Sequence, residues 1–288
     1  MKSILNISNG DCAVEIMKKA GIPGIFLPWR DVLHEGPVPD NLPLPELSRV
    51  RAQFITDRGW GTADEISESF IQRDNELSAF REYNKVILWF EHDLYDQQQL
   101  IQILDWFQQN ISEEIELSII CTEQYLGCLS PEKWYGLLNT DTLVLPFLQG
   151  AVIRMLQEYP SCSSGLSRTA EQALKVLSDG KKHPETLFSC TQKLEERIFL
   201  GDAGFWEVLH ELLESSPPLI TLSQGKELTL PAGKELELSI TSAGLKVLAG
   251  KMNWLDISPL ERWSGGVHLK PGNLWCWDPG ANSIVKRA

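Results

Sequence analysis

The sequence predicts an α/β protein: a Rossmann-like N-terminal domain with a mostly parallel sheet, residues 1–160, then a winged-helix-like α+β domain, residues 161–288. Three observations carry this. Val86–Phe90 is five apolar residues rich in strand formers, without the polar alternation of a strand that has one wet face, so it reads as a strand buried on both sides. Residues 4–29 run strand, tight turn, amphipathic helix, strand, which opens a βαβ layout. Residues 159–165, YPSCSSG, are small, polar and irregular, and mark a domain boundary.

Taken in order, Ile4–Ser8 is the first strand and Asn9-Gly10-Asp11 the turn. The helix behind it carries Ala13, Ile16, Met17 and Ala20 on one face and ends at Gly21. A second strand, Gly24–Trp29, leads into Arg30-Asp31-Val32-Leu33-His34-Glu35-Gly36-Pro37. The turn has a single glycine, so it matches neither the G-x-G-x-x-G fingerprint nor a P-loop. Pro37-Val38-Pro39 and Pro43-Leu44-Pro45 then predict an extended segment. Residues 47–83 form a polar helical insertion in which Thr62-Ala63-Asp64-Glu65 starts a helix and Ile66, Phe70 and Leu77 give an apolar face. It could serve as a lid or only pad the fold.

After Val86–Phe90 come Glu91, His92, Asp93 and Asp96, and a helix with Leu100, Ile101, Leu104 and Phe107 at helical spacing. Ile115–Cys121 is another strand. Tyr125–Gly127 and Ser130–Trp134 read as a turn and a helix start. Thr142–Phe147 is a last strand or an apolar linker.

In the second half, helices are expected over Thr169–Leu177, from Pro184 to about Arg197, and after Gly201-Asp202. Strands over Pro217–Leu222 and Glu235–Ile240 pair across a wing at 225–233, and Thr241–Gly244 starts a last helix. Such domains often read DNA with the third helix. Here that helix carries Glu207, Glu211 and Glu214 and no Lys or Arg, which favours a scaffold or protein-contact role. In the C-terminal β-hairpin tail, Trp275–Gly280 gives a strand and turn, and Gly265-Gly266 permits close backbone approach.

Residues 1–160 hold 12 Lys and Arg against 24 Asp and Glu, and the remainder holds 14 against 15, within a net charge of −13. Neither half has the basic excess that displaces counterions from phosphate backbones, which argues against nucleic-acid binding. No apolar run reaches the roughly 18–20 residues of a membrane span, and the N-terminus lacks a signal-peptide core. A cytoplasmic protein with a small-molecule ligand is expected. The six cysteines include no Cys-x-x-Cys pair and read as reduced thiols, mostly in the core.

Ligands of open α/β sheets bind outside the carboxyl ends of the strands. Connectivity brings Asp11, Arg30, Asp31, Glu35, Glu91, His92, Asp93 and Asp96 to that edge, with Gln97 close behind. Capping accounts for one or two of these acids, but four titratable groups within Glu91–Asp96 exceed that need. The expected reaction is hydrolysis or transfer on a small phosphorylated or otherwise anionic substrate. Arg30 would clamp the anion, with Asp31, Glu35, Asp96 and Gln97 contributing to binding. One of Asp11, Asp93 and Glu91 would be the general base, and His92 a general acid or metal ligand. Oxygen ligands predominate, which suits a divalent cation such as Mg²⁺ or Mn²⁺ over zinc. Arg262 and His268 of the tail are expected to face this site and balance its acids. The alternative is a ligand-sensing regulator without catalysis, or a protein-interaction module, working through the winged-helix domain.

Asn9-Gly10-Asp11, Trp29-Arg30-Asp31-x-Leu33-x-Glu35-Gly36-Pro37, Glu91-His92-Asp93-x-Tyr95-Asp96-Gln97 and Arg262-Trp263-x-Gly265-Gly266-Val267-His268 occur in that order. Together they resemble the domain-of-unknown-function 1835 family of bacterial proteins. The first three motifs lie within residues 1 to about 125, and the tail is similar to the C-terminal part of longer members. The resemblance implies a bacterial cytoplasmic protein and carries no established activity.

Overall fold

In the computed structural model, which describes residues 4–111, 115–123, 145–223 and 227–287, the N-terminal chain builds one four-stranded, all-parallel sheet in the order β2-β1-β3-β4. Its strands are β1 (Ile4–Ser8), β2 (Ile25–Pro28), β3 (Lys85–Glu91) and β4 (Glu116–Thr122). The apolar run of β3 is buried on both faces, as its composition predicts. On one face Ile87 and Trp89 pack on Ala13 and Met17 of α1 (Asp11–Lys19). On the other, Val86, Leu88 and Phe90 join Leu5 and Ile7 against Leu100, Ile103 and Phe107 of α4 (Leu94–Asn110). Because α1 and α4 cover opposite faces, the strand order reverses direction between β1 and β3, and the crevice at their carboxyl ends is the topological switch point.

Two helices fill the connection from β2 to β3: α2 (Leu44–Asp57) and α3 (Ala63–Ser78). The extended segment predicted at Pro43-Leu44-Pro45 is not there, because Pro43 is the N-cap and Pro45 lies in the first helical turn. Proline is tolerated in that turn, where the missing N–H has no intrahelical partner to lose. Thr62 and Glu65 form the reciprocal capping box of α3. Ala52 and Ile55 meet Ile66 and Phe70 along the α2–α3 seam.

The chain divides into two units, residues 1–151 with 265–267, and residues 152–264 with 268–288. Helix α5 (Leu148–Leu156) spans that division. The second unit holds α6 (Arg168–Ser178), α7 (Pro184–Gln192), α8 (Asp202–Glu214), the antiparallel pair β5 (Ile220–Leu222) and β6 (Leu238–Ile240), and α9 (Ser242–Leu248). Leu174, Leu187, Phe205, Leu209, Ile220, Leu238 and Val247 make its core. Helix α7 stops at Gln192, short of Arg197, where the chain turns to bring Glu195 onto Arg154 and Arg168. Pro217 and Pro218 stay outside β5, since proline cannot donate to a ladder. The tail forms two hairpins, β7 (Arg262–Ser264) with β8 (Val267–Leu269) and β9 (Trp275–Asp278) with β10 (Ser283–Lys286).

The expectations at Tyr125–Trp134, the first half of Thr142–Phe147 and the first part of the wing lie outside the described residues. Of the five described cysteines only Cys276 is buried, while Cys12 and Cys162 are exposed, so the thiols are not mostly core. Cys12 falls outside the Ala13–Val14–Met17 stripe that α1 turns to the sheet. Among the described residues no helix is long and apolar enough to cross a membrane. Replacing the capping hydroxyl of α3 by Thr62→Ala should lower unfolding stability by about 1 kcal/mol. Urea unfolding should show it as a lower midpoint with an unchanged slope.

Candidate functional site

Beyond the last paired residues of β1 and β2 the two chains stay joined: the Trp29 N–H donates to Ser8 O (2.8 Å) and the Arg30 N–H to Asn9 O (3.3 Å). This places the Arg30 loop beside the turn that starts α1. Arg30 adopts a left-handed backbone (φ 52°), uncommon for a residue with a Cβ. Its guanidinium grips Asp11 with two hydrogen bonds (2.6 and 2.8 Å), and Nη1 donates to Ser69 Oγ of α3 (3.1 Å). The hydrogen bond from Arg30 holds the Asp11 carboxyl below its usual range and, in return, raises the guanidinium. A carboxylate stabilised in this way is a weak proton acceptor, so Asp11 is better suited to orienting Arg30 than to serving as a base.

At the end of β3 the acids are arranged differently. Asp93 caps α4, accepting the Asp96 N–H (2.9 Å). Asp96 is fully buried; one oxygen takes Asn9 Nδ2 (2.7 Å) and the other the Glu91 N–H. Asn9 Nδ2 also lies 3.5 Å from Glu91 Oε1. Gln97 donates from Nε2 to Glu91 O and to Cys121 Sγ (3.2 Å). One oxygen each from Glu91, Asp93 and Asp96 fall within 4.8 Å of one another, a spacing that could hold a metal ion. Burial pushes the Asp93 carboxyl up to about 6, against the backbone hydrogen bond from Asp96. Burial also raises Asp96 well above the carboxylate range, reinforced by the charges of Asp93 and Glu91. Three close oxygens are a hard donor set, matched to Mg²⁺ or Mn²⁺. His92 is buried beside them, its ring edge-on to Phe147 at 6.1 Å.

Asp31 is wholly buried and pairs with the equally buried Arg51 (3.0 Å). Arg51 also donates to the carbonyls of Val32, Glu35 and Pro37, so one buried cation shapes the loop after β2. Arg73 of α3 lies against the Trp29 ring (4.2 Å) and bonds Asp74 and Ser48. Glu35 sits 3.5 Å from both His34 Nε2 and Arg58 Nη2. Burial opposes its ionisation, but the hydrogen bond from His34 and the charges of His34, Arg58 and Arg51 hold it low. His34 faces the Tyr95 ring edge-on (6.1 Å), and its charge reaches Asp93.

The structure thus gathers Asp11 with Arg30, and Glu91, Asp93 and Asp96 with Gln97, at one sheet edge. Arg262 and His268 are engaged in the second unit. Arg262 pairs with Glu211 (2.8 Å) and donates to Glu158 O, while His268 stacks on Trp263 (4.6 Å) and meets Glu261 (3.3 Å). From the same motif, the Gly265 N–H donates to His34 O (2.9 Å), and a Cβ on Gly266 would stand 3.2 Å from Val38. Asn9, Arg51, Arg73 and Tyr95 were not predicted as site residues. Arg51 and Arg73 carry a readable signal, since each lies on the apolar stripe of its helix, with Ser48, Ala52 and Ile55 or with Ile66, Phe70 and Leu77.

Arg51 and Arg30 should respond differently to truncation. Arg51→Ala leaves Asp31 buried without its main counter-ion and should cost about 3–5 kcal/mol. Arg30→Ala breaks a pair whose side chains are 45% and 62% exposed, and should cost under about 1 kcal/mol. Chemical denaturation of both variants measures the difference. No protein-family model matches this chain, and no curated protein is significantly similar to it in sequence.

Proposed function

We propose that the switch-point crevice is the active site of a hydrolase or transferase acting on a small phosphorylated or otherwise anionic substrate, with Glu91, Asp93 and Asp96 holding a divalent cation such as Mg²⁺ or Mn²⁺. One observation carries the reading: three carboxylate oxygens lie within 4.8 Å at the carboxyl ends of β1 and β3, where α/β sheets bind ligands. Clustered buried carboxylates repel one another: burial raises both Asp93 and Asp96, and at Asp96 the charges of Asp93 and Glu91 add to it. A bound divalent ion would relieve it and supply Lewis acidity to a phosphoryl or carbonyl oxygen.

In this reading Asp93 is the ligand that faces what enters the crevice. It is partly open to solvent, and the bound cation would offset the burial that raises its carboxyl and keep it an anionic ligand at neutral pH. Arg30, half-exposed and already steered by Asp11 and Ser69, offers its planar fork to an anionic group. Asp96 and Gln97 keep Glu91 in place through its own backbone. We read the second unit as a winged-helix-like module, on the order α6, α7, α8, β5, β6, α9. Glu207, Glu211 and Glu214 on α8 suit contact with protein better than with phosphates. The family resemblance would put the protein in a bacterial cytoplasm.

Without cation, the raised Asp93 means that the folded chain binds more protons than the unfolded one. Its contribution to stability is full below the ordinary value of 3.8 and is lost as pH rises through about 6. A metal should reverse that trend. Mg²⁺ or Mn²⁺ at about a hundredfold over Kd should add about 2.7 kcal/mol above pH 7 and much less near pH 5. Asp93→Asn keeps an equivalent cap for α4 while removing the charge, and should abolish the shift. Thermal scans at the two pH values, followed by a phosphoester panel with the cation, test the reading. No shift with either ion in the wild-type chain would sink the metal assignment, and no turnover would sink the phosphoester one.

A further inference from the structure

The C-terminal segments of the second unit hold a cavity that takes no part in the chemistry of the sheet edge. Its walls come from three stretches: the 3₁₀ turn Trp254–Asp256 with the loop to Leu260, the turn around Gly272, and the end of β10. The Asn253 side chain accepts the Leu255 N–H (3.0 Å) and starts the short turn, and Pro259 keeps the chain behind it from continuing as a helix. Gly272 takes a left-handed backbone (φ 83°), so the second wall turns with no side chain at that point to fill the space. Arg287 ties the walls together. Its backbone N–H donates to Leu274 O (2.8 Å), and its guanidinium donates to Asn253 Oδ1 (3.3 Å) and to Asp256. The result is a partly open cavity of about 850 Å³, within the roughly 300–1,000 Å³ of small-molecule sites.

Every apolar side chain lining this cavity is aliphatic: Leu255, Ile257, Leu260 and Leu274, with Pro259 and Pro271. Ile257 also packs against the core of the unit, the cluster that includes Trp254. The charged lining is two cations and one acid, in a chain whose net charge is −13. The acid, Asp256, is committed to Arg287. Lys286 has no ion-pair or hydrogen-bond partner among the described residues; its ammonium lies 5.8 Å from the Trp275 ring centre.

We propose that this cavity binds a small aliphatic monocarboxylate, of the medium-chain fatty-acid type, with its carboxylate on Lys286 beside Arg287 and its hydrocarbon chain along Leu255, Ile257 and Leu274. Burial of the chain supplies affinity, and the unpaired ammonium supplies the sign of the charge. An amine would face two positive side chains, and a neutral chain would leave Lys286 unused. An aromatic acid would find no ring in these walls to stack on. One carboxylate balances the single uncompensated cation, which sets this ligand class apart from multiply charged phosphates. The cavity belongs wholly to the second unit and does not depend on the reading of the sheet edge.

Calorimetric titration of the full chain with sodium octanoate tests the assignment, with octanol as the same chain without charge and octylammonium as the opposite charge. Octanoate should bind saturably at one molecule per chain, octanol about tenfold more weakly, the loss of one charge-assisted contact, and octylammonium not measurably. Lys286→Ala removes an exposed side chain that makes no hydrogen bond, so it should melt like the wild type. It should weaken octanoate about tenfold and leave octanol unchanged. Leu274→Trp puts bulk into the cavity and should abolish binding of both. Absence of saturable octanoate binding would overturn the proposal, and so would an octanoate affinity that equals that of octanol or survives Lys286→Ala.

Discussion

The hydrogen bonds of Asp96 join the two halves of the sheet edge. One of its oxygens takes the side chain of Asn9, from the turn after β1, and the other takes the backbone N–H of Glu91, where β3 ends. A parallel sheet whose helices leave on opposite faces opens a crevice between those two strands, and nothing in the ladder itself closes it beyond Ser8 and Glu91. Asp96 supplies that closure from the first turn of α4. The same bonds fix Glu91 and bring Asp93 to the rim, so the acids of this edge share one architectural origin.

That arrangement places negative charge in low dielectric, and the helical insertion answers part of it. Arg51 and Arg73 reach in from α2 and α3, and Arg51 pairs with one oxygen of Asp31 and donates to three carbonyls of the loop that follows β2. Ser69 of α3 touches Arg30. The insertion is thus neither simple padding nor a detached lid; it is the wall that gives the Arg30 and Glu35 loop its shape. The expected balancing cations were in the tail, yet Arg262 already meets Glu211. The part of the tail that belongs with the first unit is the glycine turn, which touches His34 and Val38.

The parts of this structure legible in the sequence are those set by local pattern. The unbroken apolar run at Val86–Phe90 could only be a strand covered on both faces, and Thr62 with Glu65 could only help a helix begin. Once strands and helices alternate, connectivity alone puts Asp11, Arg30 and Asp93 at one edge. What pattern does not contain is which acid meets which base. Asp31 reads as one more polar residue beside Arg30, but its partner is Arg51, on a helix that looks solvated by composition. Pro43 and Pro45 read as breakers because their effect depends on position, and in the first turn of α2 they do no harm. Local pattern allows Asp93 as a helix cap, which it is, but does not contain the burial of Asp96 as a bridge between Asn9 and the Glu91 N–H.

The carboxyl groups of the edge fall into two sets pushed in opposite directions, and that separation supports the proposed reading of the edge. Asp11 and Glu35 have guanidinium or imidazole partners and are held low, so they remain anions and act as orienting groups. Asp93 and Asp96 are buried next to other carboxylates and are raised, so one ionises near neutral pH while the other resists. Groups whose environments pull their proton affinities apart are those that can divide acid and base roles. Of the raised pair, Asp96 is wholly enclosed and committed to Asn9 and the Glu91 N–H, which leaves Asp93, partly open at the start of α4, as the carboxyl that in the proposed reading meets what enters the crevice.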